Sequence, residues 1–121
     1  NRKKLFMKKR LKNYKDNRGL LFFFYKKKYN FKRIFFISGN KNKVRGDHAH
    51  KTLTQILINI DSHSKIKIDK NKLKTITFSK PGEYIICPKK HWLKINFLSK
   101  GTIAVLCDKK YEKKDYIYKK I

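Results

Sequence analysis

Acidic residues are scarce in this chain. Asp and Glu number 8 among 121 positions, against 34 Lys and Arg, which leaves a formal charge of +26. Long apolar runs are missing too. The longest, Leu20 to Tyr25, is only six residues, far short of the roughly 20 that cross a bilayer as a helix. No charged start leads into a long apolar segment and a small-residue cleavage site, so no secretory signal is expected. With 5 Gly and 2 Pro, a collagen repeat is excluded, and the apolar residues follow no heptad. Two cysteines cannot make a disulfide scaffold. Cys87 and Cys107 lie in apolar segments without CxxC spacing and read as reduced, buried thiols of a cytoplasmic protein.

What remains is rich in core formers. Hydrophobic residues make up 40%, including 9 Phe, 7 Tyr and 14 Ile, more than a disordered basic tail would carry. The cations are lopsided, with 29 Lys and 5 Arg. Lys, Ile, Asn, Phe and Tyr all have A/T-rich codons, so coding bias is one explanation of the charge; the other is a field that attracts anions, whether nucleic acid, an acidic membrane surface or a phosphorylated metabolite. Nucleic-acid binders favour Arg for bidentate base contacts and interleave exposed aromatics with the cations. Here the aromatics sit in strand-like runs. Nucleic acid is not the expected partner, and steep salt dependence would be its signature.

The chain reads as β from Gly19 onward. Phe31 to Ser38 and Gln55 to Asp61 are β-branched and aromatic runs, while Lys65 to Asp69 and Thr75 to Phe78 alternate polar and apolar. Tyr84 to Cys87, Leu93 to Phe97 and Thr102 to Cys107 add three strands. Turn signals separate them at 39–42, 70–72, 81–82 and 99–101. Strands every eight to twelve residues predict a sandwich or barrel. Residues 1–12 form a basic N-terminal extension on this reading, and 13–121 form a single all-β domain. Glu112 to Lys120 is expected as a short helix or an extended tail.

One segment departs from the Lys and Ile background: Arg45-Gly46-Asp47-His48-Ala49-His50-Lys51. Imidazoles at i and i+2 on a strand point the same way. A guanidinium beside them favours the neutral form that a general base needs. Gly46 allows a tight or bulged approach. Gln55 follows, and His91 lies farther on. Together they are the available extra ligands for a metal at the pair, although an amide is a poor ligand beside a carboxylate.

These residues resemble the cupins, whose first motif is HxH followed by Glu and whose second is Gly-x5-Pro followed by His. Here the counterparts are His48-Ala49-His50 with Gln55, and Gly82-x5-Pro88 with His91. Within the cupins the chain is similar to the sugar 3,4-ketoisomerases that act on dTDP-4-keto-6-deoxyglucose, the FdtA/QdtA or WxcM-like group. Five blocks carry the likeness in order: Asp16 to Gly19, Phe31 to Ile37, Arg45 to Lys51 with Gln55, Gly82 to Pro88 with Trp92, and Val105 to Asp108 with Tyr111 and Asp115 to Ile117.

The resemblance covers about residues 13 to 118. It implies a cupin jelly roll, a homodimer with exchanged N-terminal strands, and an isomerase of deoxysugar biosynthesis working without metal or cofactor. It makes His48 and His50 the catalytic pair, with His50 carrying the proton at carbon and His48 serving the oxygens, or the reverse. It assigns Arg18 and Arg45 to the nucleotide sugar, Arg18 as the diphosphate partner. Gln55 would serve the enediolate oxygen, and Trp92 or Tyr84 would pack on base or sugar. Tyr111 and Tyr116 are expected to be structural. Tyrosines common in the family's Phe31 to Ile37 block are Phe35 and Phe36 here, and Ser64 to Thr77 reads as a shortened hairpin. A 3,5-epimerase and a non-catalytic sugar-binding cupin are the alternatives.

Overall fold

The computed structural model describes residues 7–25, 28 and 30–118. Among the described residues twelve strands run in chain order: β1 (Lys9–Arg10), β2 (Asn13–Asp16), β3 (Gly19–Phe22), β4 (Arg33–Gly39), β5 (Val44–His50), β6 (Gln55–Asn59), β7 (Ser64–Asp69), β8 (Lys74–Phe78), β9 (Glu83–Cys87), β10 (Trp92–Phe97), β11 (Gly101–Cys107) and β12 (Tyr116–Ile117). One five-stranded antiparallel sheet has the order β1-β9-β6-β11-β4 and faces a second ordered β12-β5-β10-β7-β8. From β4 to β12 the chain alternates between the two sheets, except at the β7–β8 hairpin. That interleaving is the jelly roll of the cupins. Among the described residues no helix is long and apolar enough to cross a membrane.

The burial of each sheet follows its sequence pattern. Along β7 and β10 buried and more exposed positions alternate, because only the inner face of the second sheet is covered. Along β6 and β9 every position is buried. Their inner side chains, such as Leu57 and Ile85, join Phe78, Ile95 and Phe97 in the core between the sheets. Their outer ones, Ile56, Ile58, Tyr84 and Ile86, are roofed by Leu11 with Phe22, Phe24 and Phe31. A continuous apolar run is what a strand covered on both faces requires. Each fully buried Ile or Phe contributes about 1.5–3 kcal/mol.

The fold therefore begins inside the segment read as an extension. Lys9 and Arg10 pair with Tyr84 and Glu83, and Leu11 is buried. Two or three ordered residues in a Lys-rich run leave no periodicity to read. The C-terminal stretch is both things expected of it: a single 3-10 turn over Lys113–Asp115, then β12.

Candidate active site

Residues Arg45 and His48 are an odd number of positions apart on β5, so a regular strand would point them to opposite faces. The pairing with β10 avoids this. Ile95 lies opposite Arg45, Lys94 opposite Gly46 and Leu93 opposite His48, which leaves Asp47 as an extra residue. Gly46 (φ 80°) and Asp47 (φ 63°) both take the left-handed region that such a bulge demands. A Cβ on Gly46 would also come within 3.1 Å of the Leu93 carbonyl oxygen. The Trp92 indole N–H donates to Asp47 Oδ1 at 2.9 Å and pins the bulge from the neighbouring strand. After it the regular alternation resumes. Arg45, His48 and His50 thus share the inner face.

At the sheet edge, β12 pairs with β5 and sets Tyr116 opposite His50. Three rings meet there. Tyr116 stacks on His48 (centroids 4.8 Å apart, planes at 28°) and meets His50 edge-on at 4.3 Å, and the two imidazoles lie 4.9 Å apart. Behind them Asp115 anchors His50, with Oδ2 3.2 Å from Nδ1. Its other oxygen accepts from the Thr52 amide (2.9 Å) and hydroxyl (2.6 Å). The carboxylate fixes the proton on Nδ1 and leaves Nε2 as the acceptor. That Nε2 is buried without a partner.

Burial pushes His50 down to about 4, and neighbouring His48 adds to the shift, while Asp115 opposes it without prevailing. His50 is neutral at physiological pH. Burial would raise Asp115, but the Thr52 hydroxyl and amide and then His50 outweigh that and hold it below the usual carboxylate range. Burial also pushes the Cys87 thiol up to about 12, and both cysteines are free and buried, as expected.

A cavity of about 220 Å³ opens between the sheets at this end. His48, Arg45 and Tyr116 line it from the second sheet, and Gln55, Phe35 and Phe36 from the first. His50 does not line it; at 5% exposure it sits behind His48 and Tyr116. Gln55, buried at the start of β6, directs its amide to Cys107 Sγ at 3.9 Å. Among the described residues no three His, Cys, Asp or Glu side chains cluster to hold a metal ion.

Of the expected site residues, His48, Arg45 and Gln55 converge on the cavity, with His50 directly behind. Two do not line it. Arg18 lies in the β2–β3 turn, paired with Asp16 at 2.5 Å, over a separate surface hollow with Tyr14 and Leu21. Trp92 buttresses the bulge. Tyr84 is buried on the far face of the first sheet against Phe24, so it meets no ligand in this cavity. Tyr116, expected as part of a structural tail, also lines the cavity. Asp115 went unassigned because 65 residues separate it from His50. The β5–β12 pairing and the Lys51 amide donating to the Asp115 carbonyl at 2.8 Å bring them together.

A family model described as FdtA, WxcM-like, C-terminal, matches residues 5–120. A relative, the TDP-4-oxo-6-deoxy-alpha-D-glucose-3,4-oxoisomerase of Aneurinibacillus thermoaerophilus, is 30% identical over 108 residues, covering 84% of this chain and 78% of its own. The crystal structure of a 3,4-ketoisomerase from Helicobacter canadensis superposes with a TM-score of 0.85 at 28% identity, covering 94% and 90% of the two chains. A mutant of the sugar 3,4-ketoisomerase QdtA from Thermoanaerobacterium thermosaccharolyticum, solved with TDP-4-keto-6-deoxyglucose, gives a TM-score of 0.85 at 25% identity, covering 95% and 88%.

Proposed function

The chain belongs to the FdtA family of WxcM-like C-terminal domains, and on that premise we infer that it is a TDP-sugar 3,4-ketoisomerase. It moves the carbonyl of a TDP-4-keto-6-deoxyhexose from C4 to C3 through an enediol, a step in assembling deoxysugars for surface polysaccharides. The observation that carries this reading is one cavity holding an imidazole, a guanidinium and an amide where the ketoisomerase relatives share the fold. Nucleotide sugars are made in the cytoplasm, and we place the protein there.

Its position on the wall supports His48 for the carbon chemistry, the second of the two assignments left open by the sequence. The C4 ketone acidifies the C3 proton. His48 takes it, exchanges it with solvent and protonates C4, because one imidazole serves as base and then as acid. Arg45 and Gln55 donate to the enediolate oxygen as charge develops there. His50, held by Asp115, fixes the position of His48 and Tyr116. Incubating the protein with TDP-4-keto-6-deoxyglucose in deuterium oxide tests this reading by NMR. The expected result is a 3-keto sugar carrying deuterium at C4. A folded protein giving neither exchange at C3 nor product would overturn it.

A homodimer exchanging N-terminal strands belongs to the same reading. Strand β4 is a sheet edge that exposes Ile34 (55%) and Phe36 (64%), and the β2–β3 hairpin exposes Leu21 (63%). An open apolar edge invites a second strand. The cavity is also smaller than the ~300–1,000 Å³ that encloses a drug-sized ligand. It suits the sugar, and the TDP then extends to the surface, where Arg18 of the partner subunit would meet the diphosphate. Light scattering is expected to give twice the chain mass for the wild type and a shift toward monomer for Phe36→Glu. A monomeric wild type at micromolar concentration would end the dimer proposal.

A further inference from the structure

Isomerisation moves two protons, one between carbons and one between oxygens. Among the described residues lining the cavity, only two side chains can both give up and take back a proton in a reaction: His48 and Tyr116. Arg45 is a guanidinium and Gln55 an amide, so both offer hydrogen bonds and neither relays a proton. Phe35 and Phe36, on the opposite wall, offer no hydroxyl. Among the described lining residues, the phenol of Tyr116 is the one hydroxyl.

Its surroundings are built. Tyr116 is half-buried and lies against both imidazoles, so its ring is fixed on two sides. Its hydroxyl interacts with the Arg33 guanidinium. That guanidinium is held between the rings of Phe35 (4.9 Å) and Tyr111 (5.4 Å) and donates to Cys107 Sγ at 3.6 Å. Arg33 Nε is buried without a partner, and the other such side-chain atom among the described residues is His50 Nε2. Unsatisfied buried polar atoms are rare and costly, and these two flank the same tyrosine. Burial keeps the phenol protonated at rest, while Arg33 opposes that shift and favours the phenolate.

We propose that Tyr116 is a catalytic residue that carries the proton from one substrate oxygen to the other. The proposal rests on the ketoisomerase reading and deepens it. As His48 removes the C3 proton, the electron pair forms the C3–C4 double bond and the carbonyl electrons move onto the C4 oxygen. That oxygen takes the Tyr116 proton, giving the neutral enediol, a phenolate facing Arg33 and a protonated His48. The phenolate then removes the proton from the C3 hydroxyl. The C3 carbonyl forms, and the double-bond electrons take the proton from His48 at C4. Phenol and imidazole are both restored, so no other reactant is needed. The two enediol oxygens sit side by side, within reach of one hydroxyl.

The test separates two rates in deuterium oxide, using TDP-4-keto-6-deoxyglucose: exchange at C3 and appearance of the 3-keto sugar. In Tyr116→Phe the ketone transfer is expected to fall by about 10²-fold, the lower end of proton-transfer contributions. Exchange at C3 falls much less, because His48, Arg45 and Gln55 still form an enediolate that takes a solvent-derived deuteron back at C3. Unchanged ketone transfer, or an equal loss of both rates, would overturn the role of Tyr116. A wild type inactive in both rates would instead overturn the ketoisomerase reading. Should Tyr116→Phe not fold, Tyr116→3-fluorotyrosine keeps the hydroxyl and makes it more acidic. The ratio of the two rates and its pH dependence should then shift, and an unmoved ratio would refute the proposal.

Discussion

Replacing His48 by Asn should abolish turnover while leaving the fold intact. Asparagine keeps a polar side chain of similar reach on the inner face of β5 and removes only the titratable ring. A positioned acid or base contributes about 10²–10⁴-fold, and His48 acts twice, at C3 and at C4. Both the deuterium exchange and the ketone transfer should fall by about 10³-fold or more. His50→Asn provides the contrast. His50 lies behind the wall with Nδ1 on Asp115, so its loss loosens His48 and Tyr116 without deleting the base. Displacing a catalytic group by about 1 Å costs up to 10²-fold, so exchange should survive His50→Asn better than His48→Asn. Equal exchange rates in wild type and His48→Asn, with exchange lost only in His50→Asn, would return the carbon chemistry to His50.

The order of strands was legible because alternation and turn chemistry are local. Lys65 to Asp69 declares a half-buried strand, and Gln55 to Asn59 a fully buried one, on the residues themselves. The site was legible in part for the same reason: His48 and His50 share a strand, and alternation puts them on one face. Arg45 joins them only through the bulge at Gly46 and Asp47. Gly46 hinted at it, but the count of residues opposite Leu93 and Lys94 is a property of pairing. Which imidazole faces the cavity was not legible either. It depends on β12 and Asp115 closing over His50 from far along the chain, and no periodicity in Glu112 to Lys120 announces that contact. Arg18 and Trp92 matched by block order, which says nothing of distance. One lies on an exposed hairpin and the other braces Asp47.

Acidification should unfold this protein through the same pair of residues. In the folded chain His50 titrates at about 4, against 6.5 for an ordinary imidazole. Between those values the unfolded chain binds a proton that the folded chain refuses, so stability falls as pH falls across that window. The depression corresponds to about 3 kcal/mol at 1.36 kcal/mol per pH unit, a large share of a small domain's ~5–15 kcal/mol. Asp115, held below the usual carboxylate range, extends the loss to lower pH, since its contribution is present only above the unfolded pKa and fades as the carboxylate protonates. Net charge complicates the wild-type curve, because protonating any of the 8 acids adds to a charge that is already +26. Comparing urea unfolding of wild type with His50→Asn removes that shared background. Wild type should lose about 3 kcal/mol more than the variant between pH ~6.5 and ~4. Parallel curves, or an NMR titration placing folded His50 near the ordinary imidazole value, would mean that the ring is solvated and that burial does not hold it neutral behind the cavity wall. The same result would remove the fixed support on which the placement of His48 and Tyr116 depends.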